Sequence, residues 1–182
     1  MYSNLFLDRD GVLNQRIMGG YVRTPQEFVI LPGVLEAMRL FAERFERIFI
    51  VTNQQGIGKG LMTEQDLALV HDTFLRSVQE AGGRIDRIYH CPALKSEHSF
   101  RRKPSIGMAV QARHDFPGLR LKQSVMVGDT MTDMLFGRRA GMRTVLVGQE
   151  KEVAQEYPHL VDFYYPTLLD YAHSLLPTPC SL

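Results

Sequence analysis

Two aspartates one residue apart, Asp8 and Asp10, follow the apolar tripeptide Leu5-Phe6-Leu7 and precede Gly11. An apolar run of this kind reads as a buried parallel strand, and open parallel sheets build their sites at the carboxyl ends of their strands. Two acids this close repel each other unless a positive charge lies between them. A divalent cation is the expected counter-charge. One carboxylate can then attack phosphorus while the other handles protons.

Three further blocks carry side chains suited to the same chemistry: Thr52-Asn53, Arg102-Lys103-Pro104 and Gly128-Asp129-Thr130-x-x-Asp133. Asp8 and Asp129 supply oxygen to a hard cation. Thr52 offers a hydroxyl to phosphate oxygens. Lys103 sets a fixed positive charge against the phosphate and the Asp8 carboxylate. Asp10, in the turn leaving the strand, is placed to protonate a leaving oxygen and later to activate water. Lys59, in Gly56-Ile57-Gly58-Lys59-Gly60, is a candidate for a second phosphate.

Other readings of these residues fail. Gly58-Lys59 is not a nucleotide P-loop, because Gly60 stands where Ser or Thr is needed. Asp8-x-Asp10 is not an EF-hand, because Val12 occupies a ligand position. His90, Cys91 and His98 are not expected to form a metal site, and Met18 and Tyr21 are expected to pack the segment after the first strand.

The elements that hold these blocks alternate strand and helix. A helix is expected over Gly33–Phe45, where Val34, Met38, Phe41 and Phe45 recur at spacings of four, three and four. Arg47–Val51 is a β-branched and aromatic strand ending at Thr52-Asn53. Thr63 and Asp66 form a capping box for the next helix, whose buried stripe is Leu67, Val70, Phe74, Val78 and Ala81. Strands follow at Ile85–Tyr89, Ser124–Val127 and Arg143–Val147, with helices over Ser105–Asp115 and Thr132–Ala140. A short strand near Phe163 and a helix over Thr167–Leu176 close the chain. This alternation specifies an α/β, doubly wound parallel sheet.

The 182 residues suit a single domain spanning 1–182. A net charge of +1 gives no basic surplus for nucleic acid, and no apolar stretch approaches the ~20 residues that span a bilayer. Cys91 and Cys180 are far apart and form no disulfide framework. With no cleavable leader expected, a reducing cytoplasm is the anticipated compartment, and the chain is expected to be a monomer.

In order and spacing the four blocks resemble those of the haloacid dehalogenase (HAD) superfamily, over roughly Leu5 to Val147. Within it the chain is most similar to the branch of the heptose-bisphosphate and histidinol phosphatases. The residues that carry this are Asp8-Arg9-Asp10-Gly11-Val12-Leu13-Asn14, Gly20-Tyr21-Val22, Thr52-Asn53-Gln54-Gln55-Gly56-Ile57, Cys91-Pro92 and Arg102-Lys103-Pro104-x-x-Gly107-Met108. The resemblance implies a HAD-like, Rossmann-like fold and an aspartyl-phosphate formed on Asp8, with Asp10 as general acid and base. It implies Mg2+ held by Asp8, Asp129 and the Asp10 backbone carbonyl, with Asp133 orienting water on the ion. Thr52, Asn53 and Lys103 would bind the transferring phosphoryl group, and Arg102 would position the rest of the substrate.

The chain departs from the branch in two places. Members often carry a zinc loop with a His after the Cys-Pro and a Cys-x-Cys before the Arg-Lys-Pro. Here Ala93 and Phe100-Arg101 stand there, so no structural zinc is expected. Heptose enzymes also carry Lys where this chain has Thr130. The connections after the first and third strands are short, so no separate cap domain is expected and the site should be open. The expected substrate is a small phosphorylated sugar, a heptose bisphosphate first, with histidinol phosphate or another sugar phosphate as the alternative. A phospho-accepting regulatory module is disfavoured, because Asp10 would destroy a lasting acyl phosphate.

Overall fold

Alternating residues of the strands that hold Leu5, Ile48 and Val125 enter two different cores. Leu5, Leu7, Ile48, Ile50, Val125, Val127, Val145 and Val147 pack into one cluster, while Phe6, Phe49, Val51 and Met126 pack into the other. A sheet covered on both faces needs strands that are apolar throughout, which is why these runs show no polar alternation. The computed structural model describes residues 2–148 and 151–177, so Cys180 lies outside the described residues.

Six parallel strands make the sheet: β1 (Asn4–Leu7), β2 (Arg47–Asn53), β3 (Arg87–Cys91), β4 (Ser124–Gly128), β5 (Arg143–Val147) and β6 (Phe163–Tyr165). Their order is β3-β2-β1-β4-β5-β6. The chain runs outward from β1 to β3 on one side, then returns to build β4 to β6 on the other. The switch point therefore falls between β1 and β4, and the crevice beyond their carboxyl ends is where such sheets bind ligands. Leu7 pairs with Ile50 on one side and Val127 on the other, which brings the ends of β1, β2 and β4 together.

The helices are α1 (Val34–Arg44), α2 (Gln55–Gly58), α3 (Glu64–Glu80), α4 (Gly107–Asp115), α5 (Met131–Arg139), α6 (Lys151–Glu156) and α7 (Leu168–Ser174). Thr63 starts α3 with the reciprocal bonds expected of Thr63 and Asp66. α1, α3 and α7 bury residues in the cluster containing Leu5 and Leu7, and α4 and α5 in the cluster around Phe6 and Phe49.

Some boundaries differ from the sequence reading. The third strand lies at Arg87–Cys91 rather than Ile85–Tyr89. Asp86 is the reason, because its carboxylate accepts from the Ile48 backbone N–H at 2.8 Å and ties the approach to β3 against the start of β2. Ala81 caps α3 instead of joining its stripe, and His71 takes a buried position on that helix. The one-turn helix α2 and the polar helix α6 have no apolar periodicity and were not anticipated. Between β1 and α1, and between β3 and α4, the regular helical structure is a single 3-10 turn each, at Pro25–Glu27 and Lys95–Glu97.

Candidate active site

The end of β1 turns tightly. Gly11 has φ of +94°, and the Leu13 and Asn14 amides both donate to the Arg9 carbonyl. A Cβ at Gly11 would fall on the Asp129 carboxylate, so only glycine lets β1 and β4 converge here. The turn points Asp8 and Asp10 in different directions. Asp8 Oδ1 accepts from Lys103 Nζ at 2.8 Å. Asp10 Oδ1 accepts from Arg9 Nη2 at 2.9 Å and Asn14 Nδ2 at 3.0 Å, and its Oδ2 from Gln54 Nε2 at 2.9 Å.

The two environments separate the carboxyls in acidity. Burial, reinforced by the Asp133 charge, raises Asp8 to about 6 against the pull of Lys103. Burial also works to raise Asp10. The Arg9 guanidinium and the hydrogen bonds from Asn14 and Gln54 outweigh it and hold Asp10 below the ordinary carboxylate range. Arg9 is itself buried, with its guanidinium 5.7 Å from the Phe28 ring and Nη1 3.2 Å from His71 Nε2. Burial and the Arg9 charge push His71 down to about 3, so it faces Arg9 as a neutral ring.

Lys103 is 3% exposed and bridges two acids, Asp8 at 2.8 Å and Asp133 Oδ1 at 2.6 Å. Burial opposes its charge, but the two carboxylates outweigh that and raise its pKa. Asp133 spends its other oxygen on the start of α5, accepting from the Thr130 amide at 3.2 Å and its hydroxyl at 2.6 Å. Asn53 clamps the Lys103 backbone from the opposite side: Nδ2 donates to the Lys103 carbonyl at 3.2 Å and Oδ1 accepts from its amide at 3.0 Å. Both ends of that amide are therefore committed to holding the lysine. Thr52 is buried, and its Oγ1 accepts from Gln54 Nε2 at 2.8 Å.

These groups open onto a cavity of about 850 Å³. Its outer wall carries Lys59, Lys95, His98 and Arg102. Lys59 Nζ sits 5.4 Å from the centre of the Tyr21 ring, and Arg102 Nη1 donates to the Ala93 carbonyl at 3.0 Å. Met18 is 86% exposed and lines the cavity, so it does not pack its segment as the sequence suggested. Cys91 is buried with its Sγ 3.9 Å from Ser99 Oγ, and His90 pairs with Glu64 at 2.8 Å.

Carboxylate oxygens of Asp8, Asp129 and Asp133 lie within 4.8 Å of one another. Burial and the Asp8 charge raise Asp129 to about 7. Three buried acids held together against their own repulsion, with oxygen as the donor, fit a hard divalent cation. The Asp10 carbonyl and the Asp129 carboxylate already converge on one positive group, Arg16 Nη2, at 2.7 Å and at 2.8 and 2.9 Å.

All nine residues singled out from the sequence meet at this crevice or line its wall. Four participants were not assigned roles there. Arg9, Asn14 and Gln54 lie inside the quoted motifs, and their neighbourhood to Asp10 and Thr52 was the available signal. Arg16 stands in no motif, and nothing in the local pattern marks it.

A parallel α/β sheet with a paired-acid switch point, a buried lysine and a cationic outer wall defines a phosphoryl-transfer protein. The HAD-hydrolase-like family model matches residues 100–171. The chain is 40% identical over 149 residues to the D-glycero-alpha-D-manno-heptose-1,7-bisphosphate 7-phosphatase of Campylobacter jejuni, covering 81% of this chain and 84% of that one. It is 33% identical over 181 residues to the beta-anomer 7-phosphatase of Vibrio cholerae, covering 94% and 95%. Among solved structures, the D,D-heptose 1,7-bisphosphate phosphatase of B. bronchiseptica, complexed with magnesium and phosphate, superposes with a TM-score of 0.82 at 30% identity, covering 95% and 97%. The chain belongs to the HAD-like hydrolase family and is a phosphatase of that family.

Proposed function

We propose that this chain hydrolyses a phosphomonoester of a small phosphorylated sugar, with a D-glycero-D-manno-heptose 1,7-bisphosphate as the substrate and its 7-phosphate as the group removed. The observation that carries the reading is the pairing of Asp8 with buried Lys103 at the cavity floor, beside an Asp10 held by three other donors. Relatives acting on both anomers support the heptose skeleton without favouring either. The three cationic side chains on the outer wall, Lys59, Lys95 and Arg102, suit a substrate that keeps a second phosphate after the first is cut.

Asp8, Asp129 and the Asp10 carbonyl would hold Mg2+, which when bound supplies positive charge to the phosphoryl oxygens. Asp8 attacks phosphorus in line, opposite the sugar oxygen, and the P–O bond to the sugar breaks as the Asp8 Oδ–P bond forms. Lys103 neutralises charge on the transferring group, and the Thr52 hydroxyl donates to one of its oxygens, its own acceptor site being filled by Gln54. Asn53 contributes by fixing the Lys103 backbone, and Asp133 by fixing the Lys103 ammonium. Asp10 passes a proton to the leaving sugar oxygen. Because Arg9 holds Asp10 ionised at neutral pH, that proton enters with the substrate as phosphate monoanion. In the second step Asp10 is the base that takes a proton from water as it attacks the aspartyl-phosphate.

The test is a comparison of kcat/KM for synthetic heptose 1,7-bisphosphate anomers and histidinol phosphate, with Mg2+ present. The reading expects at least tenfold preference for the bisphosphates, about 1.4 kcal/mol. Equal or greater turnover of histidinol phosphate contradicts it. Asp10→Asn should lower kcat by about 10² or more, the usual worth of a general acid, and wild-type turnover would remove Asp10 from the proton path.

A further inference from the structure

Arg16 sits among the oxygens a divalent cation would use. Its Nη2 lies 2.7 Å from the Asp10 carbonyl oxygen, 2.8 and 2.9 Å from the two Asp129 carboxylate oxygens, and 4.0 Å from Asp8 Oδ2. One nitrogen thus touches the backbone carbonyl and one carboxylate, and faces the other carboxylate, of the ligand set proposed above. The side chain reaches in from outside: it is 40% exposed, and the neighbouring Ile17 and Met18 are exposed. Arg16 also opposes the burial and charge repulsion that act on Asp129.

A magnesium ion bonds oxygen at about 2.0–2.1 Å. An ion held by the Asp10 carbonyl and an Asp129 oxygen would draw on the same acceptors that Nη2 occupies, and both groups are positive. The two cannot share these oxygens. We propose that Arg16 is a tethered competitor of the divalent cation, so that loading the ion requires the guanidinium to withdraw into the cavity that Arg16 lines. This rests on the phosphatase reading of the site, because it takes the same oxygens as the cation ligands. The exchange forms and breaks no covalent bond. One cationic group replaces another, and the carboxylates are never left without a counter-charge. Affinity for the ion is then set by how tightly Arg16 holds, a property of one side chain outside the motif residues.

The experiment is direct Mn2+ binding at fixed pH and ionic strength, read from the loss of the free-ion paramagnetic resonance signal, for the wild type, Arg16→Ala, Arg16→Gln and Lys95→Ala. Lys95→Ala removes one positive charge from the same cavity without touching the oxygens. The proposal expects Arg16→Ala to bind Mn2+ about tenfold tighter than wild type, the worth of a charge-assisted contact. It expects Arg16→Gln to tighten binding too and Lys95→Ala to change it less than twofold. Circular dichroism at saturating Mg2+ checks that each variant is folded, and Arg16→Gln serves if Arg16→Ala is not. Unchanged or weaker binding in both Arg16 variants overturns the competition while leaving the cation site standing. Equal tightening by Lys95→Ala also overturns it, since the effect would then be the general field of the cavity. Failure of the wild type and every variant to bind Mn2+ overturns both this proposal and the cation site beneath it.

Discussion

Asp8 and Asp10 are separated by one residue, and the fold makes different reagents of them. Asp8 is raised by burial and by Asp133 and tied to Lys103, whereas Asp10 is held low by Arg9, Asn14 and Gln54. Divergent environments of this kind let two neighbouring carboxyls take different tasks. The raised values of Asp8, about 6, and Asp129, about 7, have a consequence for stability. Both lie above the ordinary 3.8, so between about pH 4 and 7 the folded chain binds more protons than the unfolded one, and these groups cost stability as pH rises through that window. A divalent ion relieves that cost and competes with the protons. The rise in Tm on adding Mg2+ should therefore be small at pH 5 and grow through pH 8 in thermal scans, and a shift that ignores pH would contradict the cation assignment. On the outer wall, Lys59→Ala and Arg102→Ala should each raise KM for a bisphosphate about tenfold with little change in kcat, as expected for binding that is equal in ground and transition states. Steady-state kinetics against a monophosphate analogue check this, since the monophosphate should lose less. The four motif blocks made Asp8, Asp10, Lys103 and Asp129 legible as a set. Arg16 was not legible, because its role depends on a 113-residue separation from Asp129 that no local pattern records.

At the level of elements, the strands were legible where both faces are buried. β1, β2 and β4 are continuous apolar runs because adjacent residues serve opposite cores. β3 is an edge strand with partial burial, and there the pattern was two residues out, since Asp86 rather than hydrophobicity sets its start. α2 is a single turn and α6 has no apolar stripe, so neither carries periodicity to read. Phe49 is the point where β2 is held down: its ring lies 4.9 Å from Phe6, 5.1 Å from Phe116 and 6.1 Å from Tyr89. Phe49→Ala should cost about 3–5 kcal/mol in urea unfolding, and a loss below about 1 kcal/mol would show that this side of the sheet contributes little to stability.

For the whole molecule, the six-stranded order β3-β2-β1-β4-β5-β6 places the switch point between β1 and β4, where Asp8 and Asp129 meet. No helix among the described residues is long and apolar enough to cross a membrane. The expectations of one domain, of a monomer and of no structural zinc belong to this scale. A zinc chelator such as phenanthroline should leave Tm and far-UV circular dichroism unchanged, and light scattering should give a mass near 20.8 kDa. Unfolding by the chelator would mean that Cys91 has metal-binding partners.

The central claim is that Asp8 carries the phosphoryl group. Rapid mixing with substrate and Mg2+, acid quench and borohydride reduction converts an aspartyl-phosphate to homoserine, and trypsin cleavage after Arg9 separates Asp8 from Asp10. The account predicts homoserine at position 8, in the peptide ending at Arg9, and none in the peptide beginning at Asp10. Homoserine at another aspartate, or undiminished phosphate release by Asp8→Asn, would contradict it.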